Sequence, residues 1–175
     1  MVNSKWNLRF LVLAHEIGRW SKDPSSRVGC LVIDDNRNHL SMGYNGFPRG
    51  VPDDPEMLAN REIKYKIIVH AEANAIASAA RNGHSLDGGT MFTKMFPCSQ
   101  CASLIIQAGI KCVVYVENKD YEERWKDSVS VSKTMFSQVG VQVVRYSEPE
   151  FLGYLRAPDE VASAEPLQFS PPPLN

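Results

Sequence analysis

Two short stretches hold side chains whose types and spacing point to chemistry rather than packing. In "VHAEANAIASAA", His70 and Glu72 stand two residues apart at the mouth of an alanine-rich segment. In "FPCSQC", whose first cysteine lies 28 positions after that histidine, Pro97 precedes Cys98 and Cys101. One imidazole and two thiolates form a zinc donor set that leaves a fourth position for water, the composition of a catalytic rather than a structural site. Glu72 is too constrained by its neighbour to act as a ligand. It is well placed to take a proton from a metal-activated water and return it to a leaving group. Each motif alone is weak, because a lone C-x-x-C is as readily redox or structural and a lone H-x-E means almost nothing. Their joint occurrence, each opening a predicted helix with a strand between, carries the reading.

The elements that must position these residues follow from periodicity and punctuation. "HAEANAIASAARNG" predicts a helix by alanine content, closed by Gly83. "PCSQCASLIIQAG" predicts another, with Pro at its start and Gly at its end. "GGTMFTKM", "KCVVYVE" and "VQVVRY" read as strands, and "DYEERWKDSVSVSKTMFSQVG" as one helix. Upstream, Trp6, Phe10, Leu13 and Ile17 mark an amphipathic first helix, and "RVGCLVID" with "HLSMGYNG" an antiparallel hairpin. "FPRGVPDDPEM" reads as a loop, and "LANREIKYKIIV" keeps no assigned type. Right-handed crossovers turn this order into an α/β fold, a mixed five-stranded sheet with helices on both faces. Two helix N-termini can then meet at the carboxyl edge of the sheet, where free N–H groups and the helix dipole favour thiolate over thiol.

Composition sets the bounds. The 175 residues suffice for one domain, residues 1–146, with a Pro-rich extension, residues 147–175. A formal net charge of −1 excludes an overall basic field for a polymeric nucleic acid, although a local pocket for one phosphate is allowed. No apolar run reaches the roughly 18 residues of a membrane span. The N-terminus lacks the layout of a signal peptide, so a cytoplasmic protein is expected. Cys30 and Cys112 lie in β-runs and read as buried thiols. In the extension, Phe151 to Leu155 are expected to form a short helical cap. The proline-rich end is expected across the domain or a neighbouring subunit, with Leu167 and Phe169 in pockets.

H-x-E with P-C-x-x-C is the ligand-and-shuttle pattern of zinc nucleobase deaminases. Over residues 5–146 the chain resembles the deoxycytidylate (dCMP) deaminases of the cytidine deaminase superfamily, on "SKDPSSRVG", "GYNGFPRG", "HAEANAI" and "FPCSQCASLIIQAGIK". The zinc motifs mark the superfamily; the first two stretches resemble the nucleotide-handling loops of the dCMP branch. The resemblance implies a three-layer α-β-α cytidine-deaminase-like fold and hydrolysis of dCMP to dUMP and ammonia, supplying thymidylate synthesis. It implies one Zn2+ per chain held by His70, Cys98 and Cys101, with Glu72 as the catalytic proton shuttle. It further implies a homohexamer, activation by dCTP, and inhibition by dTTP with Mg2+.

Asn45 matches the family's sugar-contacting asparagine, and Ala71 lies between the two motif residues at the substrate. Asn45-Gly46 is also the composition of a tight turn. Arg27, Lys22 and Arg49 are phosphate candidates, although a lone surface Arg is ordinarily a solvated charge. Gly46, Arg49 and Arg81 are candidates for an effector site or a subunit contact. Two alternatives stay open. One is a deaminase acting on another cytosine nucleotide, a nucleoside or a nucleic acid. The other is a non-catalytic zinc-stabilised interaction module, for which an adjacent carboxylate would have no use.

Overall fold

The structure, a computed structural model, describes residues 4–157 and the backbone of 167–168. The chain runs α1 (Ser4–Gly18), β1 (Gly29–Ile33), β2 (His39–Tyr44), α2 (Pro55–Ala59), α3 (Arg61–Ile67), α4 (Ala71–Asn82) and β3 (Thr90–Thr93). It continues as α5 (Ser99–Gln107), β4 (Cys112–Val116), α6 (Lys119–Arg124), α7 (Lys126–Val139), β5 (Gln142–Tyr146), α8 (Glu148–Arg156) and β6 (Leu167–Gln168). The sheet order is β2-β1-β3-β4-β5-β6. β1 pairs antiparallel with both β2 and β3, and β3, β4 and β5 are parallel. The five expected strands thus form the mixed sheet. A two-residue β6 is added antiparallel on the outer edge of β5, where no strand was expected.

Strand side chains alternate between two cores, as a period of two requires. Val32, Met91 and Val113 face α4, α5 and α7, where Ala71, Ala75, Ala79, Ala102, Ile105 and Phe136 close the layer. Leu31, Phe92 and Val114 face α1 and α8, meeting Leu8, Phe10, Leu11, Phe151 and Tyr154. Three layers result, with helices on both faces.

Three segments differ from expectation, each for a local reason. "PEM" belongs to a helix rather than to a loop, because Asp54 caps the N–H groups of Glu56 and Met57 and Pro55 opens α2. "LANREIKYKIIV" is divided at Asn60, which ends α2 and whose side chain caps Glu62 and Ile63 at the start of α3. The stretch from Tyr121 to Val139 is broken into α6 and α7 at Trp125, whose φ of −113° and ψ of 27° leave the helical region. The expected cap at Phe151–Leu155 is α8, opened by a Ser147–Glu150 capping box, with Phe151 and Tyr154 buried. The expectations for the Leu167 and Phe169 side chains and for the proline-rich end lie outside the described residues.

Candidate active site

Backbone contact between β2 and α4 fixes where α4 begins. A methyl group at Gly43 would collide with the Ala71 carbonyl and the Ala75 nitrogen, so only glycine lets the helix lie this close. The Ser41 hydroxyl donates to the Ala75 carbonyl at 2.6 Å, and the Asn74 amide to the Tyr44 carbonyl at 2.7 Å. Past β2, Gly46 exchanges hydrogen bonds of 3.1 and 2.8 Å with Val69, the residue before His70. His70 is the N-cap of α4 in extended conformation and makes no side-chain cap bond, which leaves its ring free to turn inward. Cys98 plays the same part for α5, again with no side-chain cap bond. The first turn of α5 is held from outside by Ser128 of α7, whose hydroxyl accepts from the Ser99 N–H at 2.9 Å.

The two helix starts converge. His70 Nδ1 lies 3.4 Å from Cys98 Sγ and 3.5 Å from Cys101 Sγ. The three ligand atoms all fall within 4.8 Å of one another. Glu72 is buried at 5% exposure, with Oε2 accepting from Cys101 Sγ at 3.8 Å. A hydrogen bond from Cys101, joined by His70 and opposed by burial, holds the Cys98 thiol down to about 4. The same bond, together with burial and the nearby Glu72, pushes Cys101 strongly upward. Burial raises the Glu72 carboxyl, against the opposing pull of His70. The hydrogen bond to Cys98 raises the His70 imidazole against burial. Two sulfurs and a carboxylate this close cannot all carry charge without a cation among them. A soft Cys/Cys/His set with a coordination position to spare fits Zn2+.

Of the other sequence candidates, the structure gathers some and scatters others. Ala71 is fully buried under the site. Asn45 is buried, and its amide orientation is settled by its partners: Oδ1 accepts from the Val28 N–H at 2.8 Å and Nδ2 donates to the Ser26 carbonyl at 2.8 Å. Arg27, between those two partners, is exposed, as are Arg49 and Arg81. None of these three arginines joins an ion pair among the described residues. Arg49 sits in the turn where the Val51 N–H donates to the Pro48 carbonyl, and Arg81 at the far end of α4. Lys22 is already paired, on the surface, with Asp53 at 2.7 Å. Cys30 and Cys112 are buried thiols, as expected, and burial raises both, Cys112 to about 11.

Two contributors went unnoticed in the sequence. Burial raises the Tyr121 phenol of α6, and the charges of Glu72, Cys98 and Cys101 add to the rise. Nothing in "KDYEER" singles it out. Lys64 of α3 is a buried ammonium paired with Asp23 at 3.1 Å. Its apolar flank in "REIKYKI" is the only trace it leaves in the sequence.

Residues 4–117 match the family model described as the cytidine and deoxycytidylate deaminase zinc-binding region. An uncharacterized deaminase in the luxG 3′ region of Aliivibrio fischeri is 45% identical over 80% of this chain and 92% of its own. Human deoxycytidylate deaminase is 34% identical over 78% of this chain and 77% of its own. The apo dCMP deaminase of cyanophage S-TIM5 superposes with a TM-score of 0.63 at 25% identity, covering 83% of this chain and 100% of that one. The chain therefore belongs to the zinc-binding cytidine and deoxycytidylate deaminase family.

Proposed function

We propose that the chain hydrolyses dCMP to dUMP and ammonia, with His70, Cys98 and Cys101 holding zinc and Glu72 moving the protons. The observation that carries this reading is the buried Glu72 carboxylate, 3.8 Å from Cys101 Sγ and two residues past the His70 cap. A metal site that only stabilised the fold would gain nothing from burying a carboxyl there. Bound zinc supplies Lewis acidity that makes water a nucleophile at neutral pH. Glu72 takes one proton as the water oxygen adds to carbon 4 of cytosine and delivers it to ring nitrogen 3. It then takes the second proton from the new carbon 4 hydroxyl and gives it to the amine as the carbon–nitrogen bond breaks and ammonia leaves. Burial favours its protonated form, which suits a group that must hold a proton between those steps.

Asn45 faces the sugar and Arg27 meets the phosphate, with Arg49 behind it and Lys22 weakened as a candidate by Asp53. The 34% identity to human deoxycytidylate deaminase supports the nucleotide. Arg49 and Arg81, exposed and in no ion pair among the described residues, are compatible with contacts in a cytoplasmic homohexamer or with a regulatory dCTP or Mg2+–dTTP site, which completes the same reading. Ammonia release from dCMP, CMP, deoxycytidine and dCTP, measured side by side, tests it. The highest kcat/KM is expected for dCMP; equal turnover of deoxycytidine, or none of any substrate, would overturn it.

A further inference from the structure

The loop between α1 and β1 is organised around a buried carboxylate. Asp23 Oδ1 accepts from the Ser25 N–H at 2.8 Å, the Ser25 hydroxyl at 2.8 Å and the Ser26 N–H at 3.2 Å. It also takes the Lys64 ammonium at 3.1 Å, and the Asp23 Oδ2 lies 3.5 Å from Asn45 Nδ2. Lys64 reaches across from α3 and donates to the Ser25 hydroxyl as well. The side chains of both charged partners are almost sealed from solvent, at 6% and 3% exposure. Burial alone would push the Asp23 carboxyl up, but the donors of Ser25, Lys64 and Ser26 together hold it below the usual range.

A buried ion pair is weak evidence for stability, because desolvation offsets most of the attraction; it is better at fixing one geometry. The geometry fixed here is that of Asn45. Its Nδ2 is committed to Ser26 and Asp23, and one lone pair of Oδ1 to Val28. What remains on the amide is the second lone pair of Oδ1, which can accept a hydrogen bond and cannot donate one. Every residue holding the amide in this orientation lies in the loop that Lys64 and Asp23 clamp.

We propose that Lys64 is a positioning residue for substrate: paired with Asp23, it holds the Asn45 amide so that Oδ1 accepts from the sugar 3′-hydroxyl. This inference rests on the dCMP reading above. It assigns Lys64 no contact with substrate and no part in the chemistry. Its effect is confined to the sugar, and α3 is the element that delivers it.

The test compares wild type, Lys64→Met and the charge-neutral pair Lys64→Met/Asp23→Asn, in which no buried charge is left alone. Steady-state kinetics are measured on dCMP, on 2′,3′-dideoxycytidine 5′-monophosphate and on deoxycytidine, with zinc content and melting temperature alongside. The double variant is expected to keep zinc and kcat while its KM for dCMP rises roughly 5- to 10-fold, the scale of one lost hydrogen bond. KM for deoxycytidine should rise equally, and KM for the dideoxynucleotide, which lacks the hydroxyl, should stay put. Equal rises on dCMP and its dideoxy analogue would overturn the inference, as would an unchanged KM for dCMP. So would a loss on both nucleotides that spares deoxycytidine, which would make Lys64 a phosphate ligand. Zinc lost in step with activity would reduce the pair to a scaffold. A wild type that fails to deaminate dCMP removes the functional reading as well; an active wild type with any of the other results removes this inference alone.

Discussion

The two faces of the sheet are built from different materials. On the α4/α5/α7 face the fully buried helical positions are largely alanines, Ala71, Ala75, Ala79 and Ala102. On the α1/α8 face Ala14 is the small one among bulkier neighbours, with Phe10 against Phe92 at 5.1 Å and Phe151, Tyr154 and Tyr146 in the same core. Small side chains let helix backbones approach the sheet, as Gly43 does for α4. For α4 that approach sets where His70 begins the helix, and Gly29 gives α1 a similarly close approach at Ala14 and Gly18 on the other face. Aromatic side chains instead bury a large apolar area each and dominate core energetics. The α4/α5 side carries His70, Glu72, Cys98 and Cys101 and is the placement face; the α1/α8 side carries none of them and is the stability face, so damage to each should have a different signature.

The largest effects should come from the placement face. Cys98→Ala is expected to lose zinc and activity together, since metal binding couples to local folding. Glu72→Gln should keep zinc and fold yet lose at least roughly 10²–10⁴ of the rate, the scale of one acid–base group. Elemental analysis and kcat on the same preparations check both. Undiminished zinc in Cys98→Ala, or near-normal turnover by zinc-loaded Glu72→Gln, would break the contrast at its strong end.

The opposite signature belongs to Phe151. It is 4% exposed in the core shared with α1 and makes no contribution to the metal corner. Phe151→Ala should cost about 3–5 kcal/mol of stability, the range for truncating a buried aromatic. Zinc content and kcat per folded molecule should be unchanged below the melting transition. Denaturant titration and kinetics at low temperature separate the two quantities. A fall in kcat matching the fall in stability would show that the faces are not independent.

The placement face was also the more legible one in the sequence. Proline before the cysteines, alanine around the carboxylate, and glycine after both helices are local signals that single out His70, Glu72, Cys98 and Cys101, which the fold brings together. The stability face declared α1 through Trp6, Phe10, Leu13 and Ile17, although Leu13 is half exposed and Ala14 takes its place in the core. It hid the details of α8, whose start depends on a Ser147–Glu150 capping box inside a proline-rich stretch. The pairing of Asp23 with Lys64 spans 41 residues and left no periodic trace. Tyr121, whose phenol is raised by burial and by the charges of Glu72, Cys98 and Cys101, lies in a stretch with no distinguishing pattern. Contacts made by tertiary packing carry no local signal, so the sequence pattern does not show them.

The smallest effect expected is a pH dependence confined to the stability face. His15 of α1 meets the edge of Phe151 at 5.6 Å, and its buried Nδ1 finds no hydrogen-bond partner among the described residues. Burial holds the imidazole below its usual range; Lys94 and Arg19 push the same way and Glu16 opposes them. The folded state thus prefers neutral His15, and the unfolded chain binds a proton more readily below about pH 6.5. The stability that neutral His15 contributes is full above that pH and is lost as pH falls below it. Metal ligands also protonate in acid, so the test is a difference: melting temperatures of wild type and His15→Leu measured in parallel from pH 7.5 down to pH 5, in steps of about half a unit. The wild type should lose stability relative to His15→Leu as pH falls, because both proteins share every other titrating group. A gap between the two curves that stays constant with pH would mean that His15 titrates alike in the folded and unfolded states, and would overturn the prediction.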